Sequence, residues 1–166
     1  MKQKKIIGIT GGVGAGKSSV LAVLKNDFGA KIILADLVAH DLMEPGSLGL
    51  RKVTEALGTS FLTPDGAVDR KALADLIFRD KEALKTMNSI IHPLVWKTMK
   101  EEAEAASENL VIIEAAVFDT APKNFFDELW YVYTTKENRI VRLMENRGYS
   151  HEKCEDIIGR QASEEE

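Results

Sequence analysis

A glycine-rich stretch near the start of the chain has residue types suited to binding phosphate. It runs from Gly11 to Ser19, with the spacing Gly, four residues, Gly-Lys-Ser. Glycines let backbone N–H groups turn inward toward an anion at little conformational cost. Lys17 adds a cation for terminal phosphate oxygens, and the Ser18 hydroxyl is a hard ligand of the kind Mg²⁺ prefers. The predicted phosphate contacts are Gly12, Val13, Gly14, Ala15, Gly16, Lys17, Ser18 and Ser19.

The segments on either side of this loop are those that a nucleotide-phosphate site requires. The apolar residues 6–10 predict a buried strand, and residues 16–28 predict a helix that ends at Gly29. A helix begins with free N–H groups and the positive end of its dipole, so an anion is stabilised there. Because strand, loop and helix follow in this order, we favour a phosphate site over the alternative of a glycine-rich turn without a ligand.

Composition limits the remaining function classes. The 166 residues suffice for one sizeable core with a small inserted subdomain. A net charge of −4 argues against nucleic acid as the main partner. Cys154 is the sole cysteine, so no intramolecular disulfide can form, and we interpret it as a helix-face residue. No apolar run is long enough for a signal peptide or a membrane span, which predicts a cytoplasmic protein without a membrane partner.

The rest of the chain alternates strands and helices, which predicts a mostly parallel sheet with helices on both faces. Further strands are expected at 32–34, 110–113 and 129–133, with Trp130 and Tyr131 in the core. Helices are expected at 37–44 and 136–148, and from Ser150 onward. Residues 47–107 predict only helices, with Asp69 and Asp80 as caps and a break or kink at Pro93. We therefore predict a core of 1–36 and 108–166 and an inserted helical lobe at about 37–107.

Two acidic residues follow predicted strands, at the sheet edge where ligands bind in open α/β proteins. Asp36 comes after the second strand, and its alternative role is to cap the helix that follows. Glu114 comes after the third strand. It is either a water-mediated metal contact or, as we favour, a strand-end charge in solvent.

Taken together, these segments resemble the dephospho-CoA kinase family of P-loop kinases over almost the whole chain. The shared segments are residues 9–18, Ala35-Asp36, 44–46, Asp65-Gly66, Asp69-Arg70, Leu73, Phe78, Met87-Asn88, 91–93, 128–130, Arg142-Leu143 and Arg147-Gly148. The resemblance implies a P-loop NTPase-type three-layer α/β/α fold with the helical lobe as the acceptor-binding part. It also implies phosphorylation of the 3′-hydroxyl of dephospho-CoA, with ATP as co-substrate and Mg²⁺ as cofactor. We expect a monomer or weak homo-oligomer.

The resemblance also implies roles for individual residues. Asp36 is expected to act as general base or to orient the acceptor, with Lys17 and Arg142 assisting transfer. Arg147 is expected to be a second lid arginine on the nucleotide; the alternative for both arginines is a solvated helix face. Arg70 is expected to bind an acceptor phosphate or to pair with a carboxylate. His92 is expected near the acceptor, or else buried and hydrogen-bonded.

The chain departs from the family pattern at several positions. Leu34 stands where the family has an aspartate, Trp96 where it has an arginine, and Ala115 lies in a segment without the usual proline. The sequence ends at Glu166, before the closing strand and helix of the family, so we expect a truncated chain. Another P-loop small-metabolite kinase, or a nucleotide-binding protein without turnover, are the alternative functions. No Asn-Lys-x-Asp guanine signature supports a GTPase.

Overall fold

The computed structural model describes residues 4–116 and 118–161. Four strands and seven helices lie within these ranges. The strands are β1 (Lys5–Thr10), β2 (Lys31–Leu34), β3 (Leu110–Glu114) and β4 (Glu128–Tyr131). The helices are α1 (Lys17–Phe28), α2 (Ala35–Asp41), α3 (Leu48–Leu57), α4 (Arg70–Arg79), α5 (Lys81–Ala105), α6 (Lys136–Arg147) and α7 (His151–Gly159).

The sheet places β1, which leads into the glycine-rich loop, between two parallel neighbours. The strand order is β2-β3-β1-β4, and β1 runs parallel to both β3 and β4. Ile9 and Ile112 are fully buried, and Leu24 of α1 packs in the same cluster. Parallel strands covered on both faces are expected to be apolar at successive residues, as β3 is. The predicted mostly parallel α/β sheet is confirmed.

The chain forms two compact units. The sheet unit comprises residues 4–32, 107–116 and 124–161, and the helical unit comprises 33–106 and 118–123. Within the sheet unit, α6 packs on α7 and buries Ile140, Leu143 and Cys154. Cys154 is therefore a structural residue of a helix interface, as we predicted.

In the helical unit, α2, α3 and α4 all contact the long helix α5. Asp69 accepts hydrogen bonds from the Lys71 and Ala72 amides, and Asp80 accepts from the Glu82 and Ala83 amides. Each carboxylate satisfies backbone donors that a helix start otherwise leaves unpaired. Both predicted caps are confirmed.

Several local expectations were wrong. The helix α5 runs without a break across Pro93, so the predicted break is wrong, whereas the alternative of a kink stays a prediction. Trp130 and Tyr131 are 39% and 52% exposed, so they do not belong to the core. They lie on β4, which stands at one end of the described strand order. We also expected a truncated C-terminal end. That expectation concerns residues 162–166 and the positions after them, which lie outside the described residues.

Candidate active site

The glycine-rich loop connects the end of β1 to the start of α1, as the motif requires. Gly16 caps α1 with φ 102° and ψ 18°, a left-handed conformation that glycine adopts without steric cost. Lys17, Ser18 and Ser19 follow as the first turn of the helix. The two serines are exposed. The positive end of the α1 dipole and accessible first-turn groups therefore face a potential anion.

Lys17 folds back over the loop. Its Nζ donates to the carbonyl of Gly11 at 2.6 Å and to that of Gly12 at 3.3 Å. The ammonium group is thereby held beside the same backbone that would cradle a phosphate. A side chain tethered by neutral carbonyls can exchange them for phosphate oxygens, which make stronger, charge-assisted hydrogen bonds.

Arg139 of α6 also binds the loop. Its Nε donates to the carbonyl of Val13 at 2.8 Å, and its Nη2 donates to Gln161 Oε1. Gln161 Oε1 also accepts from the Val13 amide at 3.0 Å. Among the residues that the structure describes, Arg139 alone is both charged and buried, at 5% exposure.

Neither Arg139 nor Gln161 was predicted as a site residue. Of the three arginines on this helix, only Arg142 and Arg147 were predicted as lid arginines, and Arg139 was given no role. The available signal was helical spacing, because Arg139 lies four residues before Leu143 and adjoins Ile140 on the apolar face of α6. An arginine on such a face must find buried partners.

Gly12 lies directly against the Arg139 guanidinium. A Cβ placed on Gly12 would lie 2.5 Å from Arg139 Cζ and Nη2. The guanidinium therefore occupies space that any other residue at this position would fill. The second glycine of the loop is explained by a close approach rather than by its backbone angles.

The two predicted lid arginines have different positions. Arg142 Nη1 donates to the carbonyl of Ala15 at 2.9 Å, so its guanidinium lies on the loop. The same nitrogen is 3.5 Å from the carbonyl of Gly14. Arg147 is exposed in the last turn of α6, where a cation interacts favourably with the helix dipole. The structure thus brings Arg142, but not Arg147, into contact with the loop.

The acidic candidates follow their strands. Asp36 is exposed in the first turn of α2, whose N-cap is Leu34. The alternative role of Asp36 as the helix cap is therefore wrong, because the helix begins one residue earlier, at Ala35. Glu114 is the last residue of β3, opposite Ile9, and is half-buried rather than free in solvent.

In the helical unit, Arg70 contacts another side chain. Its Nη2 lies 2.8 Å from His40 Nε2. Because a guanidinium has only donors, the His40 nitrogen is the acceptor when this contact is a hydrogen bond. Glu44 Oε1 stands 3.4 Å from the same Nε2, so a carboxylate lies beside this pair.

His92 lines a cavity of about 600 Å³ in the helical unit. The histidine is exposed, so the alternative of a buried, hydrogen-bonded ring is wrong. Pro93 and Trp96 of α5 and Pro122 give the cavity a mostly apolar wall. The Trp96 indole N–H donates to Thr120 Oγ1 at 2.9 Å and thereby ties the segment that contains Pro122 to α5.

Hydrogen bonds lower the pKa of several exposed carboxyl groups. Hydrogen bonds from Lys5, and next from Trp130, lower the pKa of Glu128 below its ordinary value. A hydrogen bond from Thr63 lowers the pKa of Asp65. Within the described ranges, no group of three or more histidine, cysteine or acidic side chains could hold a metal ion.

No helix in the described ranges, 4–116 and 118–161, has the combined length and apolar character that crossing a bilayer requires.

Comparison with known proteins gives consistent matches. A family model described as dephospho-CoA kinase matches residues 5–166. The dephospho-CoA kinase of Moorella thermoacetica is 38% identical over 164 residues, which cover 96% of this chain and 77% of that protein. The one from Carboxydothermus hydrogenoformans is 35% identical over 153 residues, 90% of this chain and 74% of that protein. The crystal structure of TT1252 from Thermus thermophilus matches with a TM-score of 0.77 and 30% identity, covering 99% of this chain and 83% of that one.

Proposed function

The chain belongs to the dephospho-CoA kinase family, and from that premise we propose how its own residues phosphorylate dephospho-CoA with ATP. The reaction breaks the bond between the γ-phosphorus and the β,γ-bridging oxygen of ATP. The 3′-hydroxyl oxygen of the acceptor forms the new bond to phosphorus. ADP leaves, and the hydroxyl proton passes to a base. Such a transfer depends on positioning and on stabilising negative charge.

The loop and α1 provide the donor site. Backbone amides of the loop, other than those of Val13 and Ala15, which donate to Gln161 and to the Gly12 carbonyl, hold the β- and γ-phosphates together with the start of α1. Lys17 exchanges its carbonyl partners for phosphate oxygens. Arg142 lies against Ala15 and offers a further cation for the transferring group. Mg²⁺ would be held by Ser18 and the phosphates, and it would offset their negative charge. Arg147 supplies a cation farther along α6.

The helical unit provides the acceptor site. Asp36 is exposed at the start of α2, where its carboxylate can accept the 3′-hydroxyl proton or orient that hydroxyl. Arg70, held by the His40 ring, presents a guanidinium for an acceptor phosphate. Both groups are accessible to a ligand because neither is buried.

The cavity beside His92 suits the long acceptor arm. Dephospho-CoA carries a diphosphate and a largely apolar thiol-terminated chain, and the cavity combines an apolar wall with Lys97 and Lys100 in its lining. The Nζ atom of each lysine lies 3.8 Å from the Oε1 atom of a glutamate one helical turn away. Such exposed pairs are weak, so the ammonium groups remain available to phosphate oxygens.

The observation that carries this proposal is that Lys17 is held against the glycine-rich loop that leads directly into α1. A coupled assay of ADP formation with dephospho-CoA, compared with adenosine and AMP as acceptors, tests the function. Lys17→Ala should abolish turnover, whereas Lys25→Ala, exposed at the far end of α1, should retain it. Turnover by Lys17→Ala at the wild-type rate would contradict the donor site.

Asp36→Asn tests the acceptor side. We expect a loss of at least about a hundredfold in kcat with little change in the KM of ATP, because general-base catalysis contributes about 10²–10⁴-fold. Asp41→Asn, an exposed acidic residue at the end of the same helix, is the matched control. An equal kcat for Asp36→Asn and wild type would remove Asp36 from the mechanism.

A nucleotide-binding role without turnover is the competing function. It predicts that ATP raises the thermal unfolding midpoint although no acceptor yields ADP. Omission of Mg²⁺ in the same assay tests the metal requirement. We also propose a cytoplasmic location, as expected for an enzyme of coenzyme A synthesis.

A further inference from the structure

Both backbone groups of Val13 are bound by side chains from distant parts of the chain. Arg139 Nε donates to the Val13 carbonyl at 2.8 Å, and Gln161 Oε1 accepts from the Val13 amide at 3.0 Å. Arg139 Nη2 donates to the same Gln161 oxygen, so the three residues form a closed ring of hydrogen bonds. We call Arg139 and Gln161 the loop clamp.

The two residues of the clamp are attached to α6 and to the end of α7. Arg139 lies on the packed face of α6, and Ile140 and Leu143 beside it are buried with Cys154 of α7. Gln161 lies two residues beyond the end of α7, and its amide donates to the carbonyl of Ile158 at 3.2 Å. Because Arg139 is buried and the Gln161 side chain is held by its two hydrogen bonds, the clamp can transmit the position of α6 and α7 to the loop.

The two residue types fit this task. A guanidinium has only donors, whereas the side-chain oxygen of glutamine has two lone pairs. Gln161 Oε1 can therefore accept from an arginine and from a backbone amide at once. Leucine at position 161 would leave a buried arginine and a loop amide without this acceptor, although it would fill a similar volume.

We propose that Arg139 and Gln161 position the phosphate loop for the nucleotide through Val13. Residues 14–18 follow Val13 directly, so a shift of Val13 moves the amides that face the phosphates. The clamp acts through the loop and does not touch the substrate. This inference rests on the proposed binding of ATP by the loop.

Steady-state kinetics of Gln161→Leu test the proposal. The variant should raise the KM of ATP by at least about tenfold, since hydrogen bonds to charged groups contribute on that scale. The KM of dephospho-CoA should stay within about twofold, because the acceptor groups lie in the other unit. The matched control is Arg160→Ala, which removes an exposed ion pair with Asp156 next to Gln161 and should leave both constants unchanged.

A double substitution tests whether Arg139 and Gln161 act together on the loop. If Arg139 and Gln161 act as one unit, Arg139→Met with Gln161→Leu should raise the KM of ATP no further than Arg139→Met alone. Assays at least 15 °C below each unfolding midpoint remove unfolded enzyme from the comparison. Should Arg139→Met not fold, Gln161→Leu at an exposed position still decides the matter.

The outcomes are distinct. An unchanged KM of ATP in Gln161→Leu, with a lowered unfolding midpoint, would assign the clamp to stability alone and overturn the proposal. A lower KM would also overturn it, because Gln161 would then compete with phosphate for the Val13 amide. If wild-type protein neither binds nor turns over ATP, the proposed function fails instead.

Discussion

Replacing Gly12 by alanine should test the close packing between the loop and Arg139. The added methyl carbon would lie 2.5 Å from Arg139 Cζ and Nη2, and 2.8 Å from Nη1. The guanidinium must retreat by about 1 Å to reach ordinary van der Waals separation. That movement stretches the 2.8 Å bond from Nε to the Val13 carbonyl beyond hydrogen-bonding distance.

The expected cost follows from the bonds lost. Hydrogen bonds to charged groups contribute about 1.5–3 kcal/mol each, and Arg139 makes two within the clamp. We expect Gly12→Ala to lower the free energy of unfolding by about 3 kcal/mol, because partial relaxation recovers some of the loss. For a chain of this size that corresponds to a fall of about 6–12 °C in the unfolding midpoint.

Thermal unfolding followed by circular dichroism measures the change in stability, and the shift of the midpoint on adding ATP measures the change in ATP affinity. Gly159→Ala is the matched control, because nothing lies within 4 Å of a Cβ at that helical position. Its midpoint should be unchanged or slightly raised, since alanine favours helix over glycine. A midpoint for Gly12→Ala within 2 °C of wild type, with unchanged ATP affinity, would refute the reasoning that Arg139 requires this glycine.

Three further predictions concern other parts of the chain. Trp96→Phe removes the bond to Thr120 and should cost about 1 kcal/mol of stability in urea unfolding. It should raise the KM of dephospho-CoA but not of ATP; equal changes would contradict the acceptor cavity. In the same urea experiment, Asp69→Ala should lower the free energy of unfolding by about 1 kcal/mol, and Asp69→Asn should lower it much less. Equal stability of Asp69→Ala and wild type would show that the cap is dispensable. Because hydrogen bonds lower the pKa of Glu128, its contribution is present above the ordinary value of 4.5 and is lost as the pH falls through the lowered pKa. The midpoint difference between wild type and Glu128→Gln should therefore be seen at pH 7 and vanish near pH 2; a difference that persists there would exclude this ionic origin.

The phosphate loop, the helix caps and the alternation of elements follow from local rules, so sequence alone predicted them. Gly16 and Gly29 take left-handed conformations at the two ends of α1. Asp69 and Asp80 cap helices through amides two and three residues ahead. Such interactions depend on neighbours in the chain and need no knowledge of the fold.

Tertiary structure decided the features that depend on distant partners. Arg139 and Gln161 bind Val13 across 126 and 148 residues of sequence, and no periodicity shows which helix faces will meet the loop. Trp130 has an apolar neighbourhood in sequence, yet its strand stands at one end of the described sheet order. Local conformational preference acts over a few residues, whereas burial depends on how elements pack, and for that reason the loop was predictable while the clamp that holds it was not.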